Sequence, residues 1–340
     1  MKVALTGGGT LGHVIPALSV WDEIVRICPD ATAFYIGSTR ERDRLTVEKA
    51  GLVYHAVSTG KLRRYFSPEN LADVFRTAAG FFQARSVLAR EKPDVLFSKG
   101  GYVSVPVVLA AASLGIRIVT HESDSSLGLA NRINSRFASR VCLGLAAASE
   151  GGRFIHTGNP VRQDVVMAAG TAAQEDDLIL VLGGSQGAKE VNELVYASLD
   201  RLLEHHRVYH QCGAGGDFSI RRDGYTQTEF IGEDLPVLMA RAALVVSRAG
   251  AGTLSELAAL GRASVLVPLR KASRGDQVEN AEFMHSCGAA VVYNEGDDLA
   301  ALVSDVTENT CMRLDMERKA HALYVPDAAR RIANIVLGSD

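Results

Sequence analysis

The chain has 340 residues, 47% of them hydrophobic and 22% charged, with a formal net charge of −3. At roughly 150 residues per domain this suggests two domains, each able to bury a core. The apolar content and small net charge exclude intrinsic disorder, and without a global basic field nucleic acid is not the expected partner. The cysteines Cys28, Cys142, Cys212, Cys287 and Cys311 are scattered and form no C-x-x-C pair. That argues against a disulfide framework or a zinc site and fits a reducing compartment. The apolar run before the first glycines is too short for a signal peptide. The longest weakly polar stretch, residues 103–115, is too short to span a bilayer and contains Pro106. The expectation is a soluble protein, or one attached to a membrane only at its surface.

In chain order, Lys2–Thr6 reads as a buried strand and residues 14–27 have helical spacing of apolar side chains. Residues 33–36 read as a second strand. Residues 71–88 read as a helix with Leu71, Val74, Phe75, Ala78 and Phe82 on one side. Residues 94–97, 118–120 and 141–143 follow as strands, with an Ala-rich helix after Pro106. The pattern pauses near Gly158-Asn159-Pro160, and residues 168–177 look polar and of low order. It restarts with strands at 178–182, 208–211, 229–231, 243–246, 264–267 and 290–293. Strands alternating with helices, without two-residue hairpins, imply parallel sheets covered on both faces. The fold class is therefore α/β, with two Rossmann-like, doubly wound domains facing a central cleft. The expected domains are 1–162 and 163–340, with the option that the final helix packs back on the first.

Both halves open with a strand, a glycine loop and a helix: Gly7-Gly8-Gly9-Thr10-Leu11-Gly12 in the first, Gly183-Gly184-Ser185-Gln186-Gly187 in the second. Such a loop lets backbone N–H groups approach an anion at a helix N-terminus. By itself it is also compatible with a plain tight turn. A dinucleotide site would need an acid after the second strand, where Tyr35-Ile36-Gly37-Ser38-Thr39-Arg40 has none. A P-loop sequence is absent, which disfavours an ATPase. His13 follows the first loop at a helix start, where its pKa is lowered and a neutral imidazole can accept a proton. A packed or capping histidine is the plainer alternative.

In the second half, Ser247-Arg248-Ala249-Gly250-Ala251-Gly252-Thr253 forms another strand–glycine–helix junction that could hold a phosphate. Glu256 then lies in the first helical turns. It is either a solvated carboxylate or a bidentate acceptor for two sugar hydroxyls. Gln277 and Asn280 share a helix face, and their amides could serve sugar hydroxyls or simply face solvent. His205, His206 and His210 read as structural. The Asp-x-Asp pair that usually holds the ion of a metal-dependent nucleotide-sugar enzyme is missing.

Together these segments resemble the MurG family of inverting glycosyltransferases, which have the GT-B architecture. The resemblance covers essentially the whole chain. Besides the loops above, it rests on Thr59-Gly60-Lys61-Leu62-Arg63-Arg64, Gly100-Gly101-Tyr102-Val103-Ser104-Val105-Pro106, His121-Glu122, Gly128-Leu129-Ala130-Asn131-Arg132, Thr157-Gly158-Asn159-Pro160-Val161-Arg162, and Gln277 with Asn280. It implies transfer of N-acetylglucosamine from UDP-N-acetylglucosamine to the muramoyl 4-hydroxyl of lipid I, giving lipid II for peptidoglycan, without a cofactor or protein-bound metal. It implies that the first domain holds the acceptor and faces the membrane, and that the second binds the donor. By position, His13 is similar to the family's histidine near the reacting centre, a base or an acceptor ligand. Thr10 and Gly12 would face the acceptor diphosphate, with Asp124 on the same side. Arg162, Ser185, Gln186, Ile231, Glu256 and Gln277 would contact the donor, Ile231 reading uracil through its backbone and Glu256 holding the ribose.

Three departures stand out. Leu11 replaces a usual glycine, Ser123-Asp124 replaces a common Gln-Asn, and Gly275-Asp276-Gln277 replaces a frequent Asp-His-Gln. The second turns an acceptor-side amide into a carboxylate. A lipid acceptor implies contact with the cytoplasmic face of the cell membrane. Lys61, Arg63, Arg64, Tyr65 and Phe66, followed by Phe75, Arg76, Phe81, Phe82 and Arg85, suit docking to anionic headgroups. The same aromatics could instead be core. The alternatives are a related GT-B transferase with another lipid or small-molecule acceptor, a nucleotide-sugar epimerase, or a non-catalytic nucleotide-sugar binder.

Overall fold

The computed structural model describes residues 1–9, 11–60, 68–145, 151–184, 187–270 and 275–339, with the side chains of Leu11 and residues 68–72 outside the description. It divides into two compact units, Met1–Pro160 with Asp327–Asp340, and Val161–Pro326. The first contains β1 Lys2–Thr6, α1 Leu11–Ile27, β2 Thr32–Gly37, α2 Glu41–Lys49, β3 Val53–Ala56, α3 Pro68–Glu91, β4 Val95–Ser98, α4 Ser104–Ser113, β5 Arg117–Glu122, α5 Leu129–Asn134, β6 Arg140–Leu143 and β7 Phe154–His156. The second contains α6 Gln163–Thr171, β8 Glu175–Leu182, α7 Lys189–Leu202, β9 Arg207–Gln211, β10 Tyr225–Thr228, α8 Leu235–Arg241, β11 Ala242–Ser247, α9 Ala251–Leu260, β12 Ser264–Leu266, α10 Asp276–Ser286, β13 Val291–Val292, α11 Leu299–Thr307 and α12 Thr310–Ala322. The last helix, α13 Ala328–Leu337, returns to the first unit.

Every strand pairing is parallel. The strand orders are β3-β2-β1-β4-β5-β6-β7 and β10-β9-β8-β11-β12-β13. In each sheet the order reverses beside the first strand, between β1 and β4 and between β8 and β11. Connections leave a parallel sheet in opposite directions at such a point and open a crevice at the carboxyl ends of the strands.

Apolar packing covers both faces of each sheet. In the first unit, Val14, Trp21 and Ile24 of α1 join Ile332 and Val336 of α13 against Val3, Leu5 and Phe97. On the opposite face Ala84 and Leu88 of α3 and Val107 and Val108 of α4 cover Ala4, Phe34 and Leu96. Arg117 at the start of β5 donates to the carbonyls of Ile335, at 3.1 Å, and Val336. These carbonyls belong to the last turn of α13, where Ile335 O also accepts from Gly338 N at 3.2 Å.

Three stretches differ from the sequence expectation. Residues 229–231 are not a strand; the strand is the polar Tyr225–Thr228, an edge strand that pairs only with β9 and so needs no apolar run. Residues 168–177 are not of low order. They hold the end of α6 and the start of β8, whose Glu175 and Asp177 both accept from Arg207. On α3, Val74, Phe75, Ala78 and Phe82 face outward, and Asp73, Gly80, Ala84 and Leu88 are buried. Among the described residues no helix is long and apolar enough to cross a membrane.

Replacing Arg117 with Ala removes two charged hydrogen bonds to the end of α13. It should lower unfolding stability by about 2 kcal/mol in urea titration, and an unchanged midpoint would show that the contact holds nothing.

Candidate functional site

In the first unit the site grows from the carboxyl edge of β1, β4 and β5. β1 runs into Gly7-Gly8-Gly9, all buried, and α1 starts at Leu11. Tyr35 Oη donates to Gly7 O at 3.1 Å, and Arg40 Nη1 donates to Gly9 O at 2.6 Å. The buried Asp43 carboxylate accepts from Ser38 Oγ at 3.1 Å and from Gly9 N at 3.4 Å. The loop is thus held from behind by the β2–α2 segment, and the Gly9 N–H is already engaged. A side chain on Gly9, at φ +93, would lie 2.4 Å from the Tyr102 ring. One on Gly101, at φ +79, would lie 2.7 Å from Gly8 O and 3.2 Å from His13 Nε2. Two backbones and an imidazole therefore meet at a point where only glycine fits.

His13 is half-buried in the first turn of α1, beside the exposed Gly12. Burial, helped by the neighbouring Lys99, lowers its pKa to about 3. The imidazole is therefore neutral at physiological pH. Pro16 has no N–H to offer the Gly12 carbonyl, which leaves that acceptor without its intrahelical partner one residue before His13.

The β5 end supplies the other wall. Glu122 Oε1 accepts from Ser123 N at 2.8 Å and Asp124 N at 3.2 Å; Oε2 accepts from Gly128 N at 2.9 Å and Asn131 Nδ2 at 3.0 Å. With four donors satisfied, Glu122 shapes the loop that presents the half-buried Asp124. His121 Nε2 donates to Gly158 O at 3.1 Å, and burial, then Lys99, pushes its pKa well down.

In the second unit the corresponding edge lies after β8 and β11. Gln211, buried at the end of β9, donates through Nε2 to Gly184 O and accepts through Oε1 from Ile231 N, both at 3.1 Å. It ties the glycine loop to the 229–232 segment. The Ile231 N–H is thereby used, and Ile231 caps the short 3-10 turn Gly232–Asp234 that follows. Glu256, in the second turn of α9, accepts from Arg162 Nε at 3.1 Å across the packing of α6 on α9. Burial raises the Glu256 pKa against the opposing pull of Arg162. Gln277 accepts from Leu269 N at 3.0 Å. Asn280 is 0% exposed and donates to Ala249 O at 3.1 Å, so it supports the β11–α9 turn and does not share an accessible face with Gln277.

The structure thus gathers His13, Gly12 and Asp124 at one sheet edge, and Arg162, Ile231, Glu256 and Gln277 at elements flanking the other. Thr10, Ser185 and Gln186 lie outside the described residues. Sequence reasoning passed over Asp43, Gln211 and Lys99. The one signal available was a polar residue placed directly after a buried strand or early in the next helix.

Two family models match the chain: the glycosyltransferase family 28 N-terminal domain over residues 3–143, and the family 28 C-terminal domain over residues 178–332. A Clostridium kluyveri protein is 37% identical, with 98% of each chain covered, and one from Lachnospira eligens is 42% identical, with 87% of each covered. Both carry the name UDP-N-acetylglucosamine–N-acetylmuramyl-(pentapeptide) pyrophosphoryl-undecaprenol N-acetylglucosamine transferase. The crystal structure of Acinetobacter baumannii MurG superposes with a TM-score of 0.79 at 25% identity, covering 99% of both chains.

Gly101→Ala forces a Cβ into the left-handed region and against Gly8 O. It should cost about 1–2 kcal/mol in chemical denaturation, and a neutral effect would show that the close approach is dispensable. Between about pH 3 and the ordinary 6.5, an unfolded chain holds a proton on His13 that the folded chain does not. Stability therefore falls as pH falls through that window. His13→Asn should flatten the slope of stability against pH between 6 and 4, and an unchanged slope would place the imidazole in water.

Proposed function

The chain belongs to the MurG members of glycosyltransferase family 28, and we propose that it transfers N-acetylglucosamine from UDP-N-acetylglucosamine to the muramoyl 4-hydroxyl of lipid I, forming lipid II. The observation that carries this reading is the near full-length identity to transferases of that name, together with a glycine-loop edge in each unit. The second unit holds the donor. Its diphosphate lies at the N-terminus of α9, where backbone N–H groups and the helix dipole favour an anion. Glu256 takes the ribose hydroxyls, exchanging its bond to Arg162 for them, and Arg162 is released toward the diphosphate. The Ile231 carbonyl accepts from the uracil N–H. Ser185, Gln186 and Gln277 complete the donor site.

The first unit holds the acceptor. The acceptor oxygen bonds to the anomeric carbon as the bond to the UDP oxygen breaks, which inverts the centre. His13 accepts the proton of the attacking hydroxyl as the new bond forms, and the UDP oxygen leaves with the electron pair of the broken bond. The anionic acceptor raises the low basicity of this imidazole as it arrives, because a nearby negative charge favours the protonated ring. Thr10 and Gly12 face the acceptor diphosphate, and Asp124 orients the acceptor.

We further propose that the protein works at the cytoplasmic face of the cell membrane. Phe75 and Phe82 are 67% and 69% exposed on α3, with Val74 and Ala78 beside them and exposed Arg76 and Arg85 on the same helix. An apolar stripe bordered by cations suits insertion between anionic headgroups. The residues Lys61, Arg63, Arg64, Tyr65 and Phe66 lie outside the described residues.

A transfer assay with UDP-N-acetylglucosamine and a lipid I analogue tests the reaction: β-linked disaccharide product is expected, and UDP-N-acetylmannosamine formed without acceptor would identify an epimerase. His13→Ala should lower kcat at least about a hundredfold with UDP affinity retained; equal loss of both would contradict its role. Glu256→Ala should raise the donor KM about tenfold or more. Phe75→Ser with Phe82→Ser should abolish binding to vesicles containing anionic lipid, and retained binding would remove α3 from the docking surface.

A further inference from the structure

Lys99 follows β4 directly, at the point where the strand order of the first sheet reverses. Its backbone N–H donates to Thr6 O at 2.8 Å, which fixes it beside the end of β1. A Cβ placed on Gly7 would meet Lys99 Cβ at 3.2 Å and His13 Cβ at 3.5 Å, so the two side chains flank the same glycine. Lys99 is 3% exposed. An ammonium has three protons to place. Among the described residues its one side-chain hydrogen bond goes to the hydroxyl of Ser123. The nearby Glu122 carboxylate is already committed to four other donors. Burial lowers the Lys99 pKa, and the charges of Glu122 and Asp124 pull it up.

A buried ammonium with a single neutral hydrogen bond is an unfavourable arrangement, which burial of a matching anion would correct. It lies beside the first glycine loop and His13, and its hydroxyl partner Ser123 is half-buried on the rim. The proposed acceptor reaches this edge carrying a diphosphate. Resting on that reading, we propose that Lys99 is the cationic ligand of the acceptor's diphosphate and sets acceptor affinity in this chain. It also offsets the carboxylate that this chain has at Asp124, beside which a polyanionic acceptor would otherwise be repelled.

This role makes an unusual combination of expectations. Methionine has nearly the length of lysine and no charge to desolvate, so Lys99→Met should leave the thermal midpoint unchanged or raised. Wild type should bind farnesyl diphosphate in calorimetric titration and farnesol far more weakly. Lys99→Met should lose at least about tenfold in farnesyl diphosphate affinity, the range for a charge-assisted contact, and keep its UDP affinity. In the transfer assay its acceptor KM should rise by a similar factor at constant donor KM. Lys99→Arg should recover most of the binding. Equal binding of farnesyl diphosphate by wild type and Lys99→Met would overturn the proposal. So would a lowered midpoint with parallel loss of donor and acceptor binding, or a loss confined to UDP. Wild type that binds farnesyl diphosphate through Lys99 but transfers no sugar to lipid I would leave the anion site standing and overturn the transferase reading alone.

Discussion

The constraint on which the rest depends is the reversal of strand order beside the first strand of each sheet. Parallel strands place all their carboxyl ends on one edge, and at the reversal no connection crosses that edge. The β1 and β4 loops, and the β8 and β11 loops, are therefore free to present backbone groups and short side chains outward. The rest of each unit supports this arrangement. Apolar helices seal both faces of the sheets, and the charged and amide groups gather at the one edge that packing leaves open.

Each edge is prepared by groups that do not meet a ligand in the proposed reaction. Asp43, Arg40 and Tyr35 hold the first glycine loop by its backbone. Gln211 joins the second loop to the segment carrying Ile231. Glu122 folds the Ser123–Asp124 turn by satisfying four donors at once. Polar groups fixed before a ligand arrives need no reorganisation when it does, which is the physical content of preorganisation. The two ends of the chain follow a different logic: α1 and α13 pack together, so the first unit is completed by residues more than three hundred positions from its start.

The sequence made the buried strands legible because β1, β4, β8 and β11 each contain a continuous apolar run, the mark of strands covered on both faces, while the acidic start of β8 was missed. It hid the edge strands. Val53–Ala56 and Tyr225–Thr228 are half exposed and pair on one side only, so no apolar run distinguishes them from loops. Candidates could be named where chemistry and backbone coincide, at the glycine loops and His13, whereas the contact between Arg162 and Glu256 could not be read. The site was illegible where a side chain acts through another element. Nothing around Asp43 marks it as the partner of Gly9, thirty-four residues away. Asn280 shows the opposite failure: helical spacing placed it with Gln277, and only burial reveals that it serves the Ala249 carbonyl.

The central claim is that the second unit receives the nucleotide and the first receives the acceptor. A crystal structure with UDP bound tests it most directly. The account predicts uracil at the Ile231 carbonyl, ribose hydroxyls on Glu256 with the Arg162 contact broken, and diphosphate at the start of α9. UDP seated instead on the Gly7–Gly9 loop beside His13 and Lys99 would contradict it.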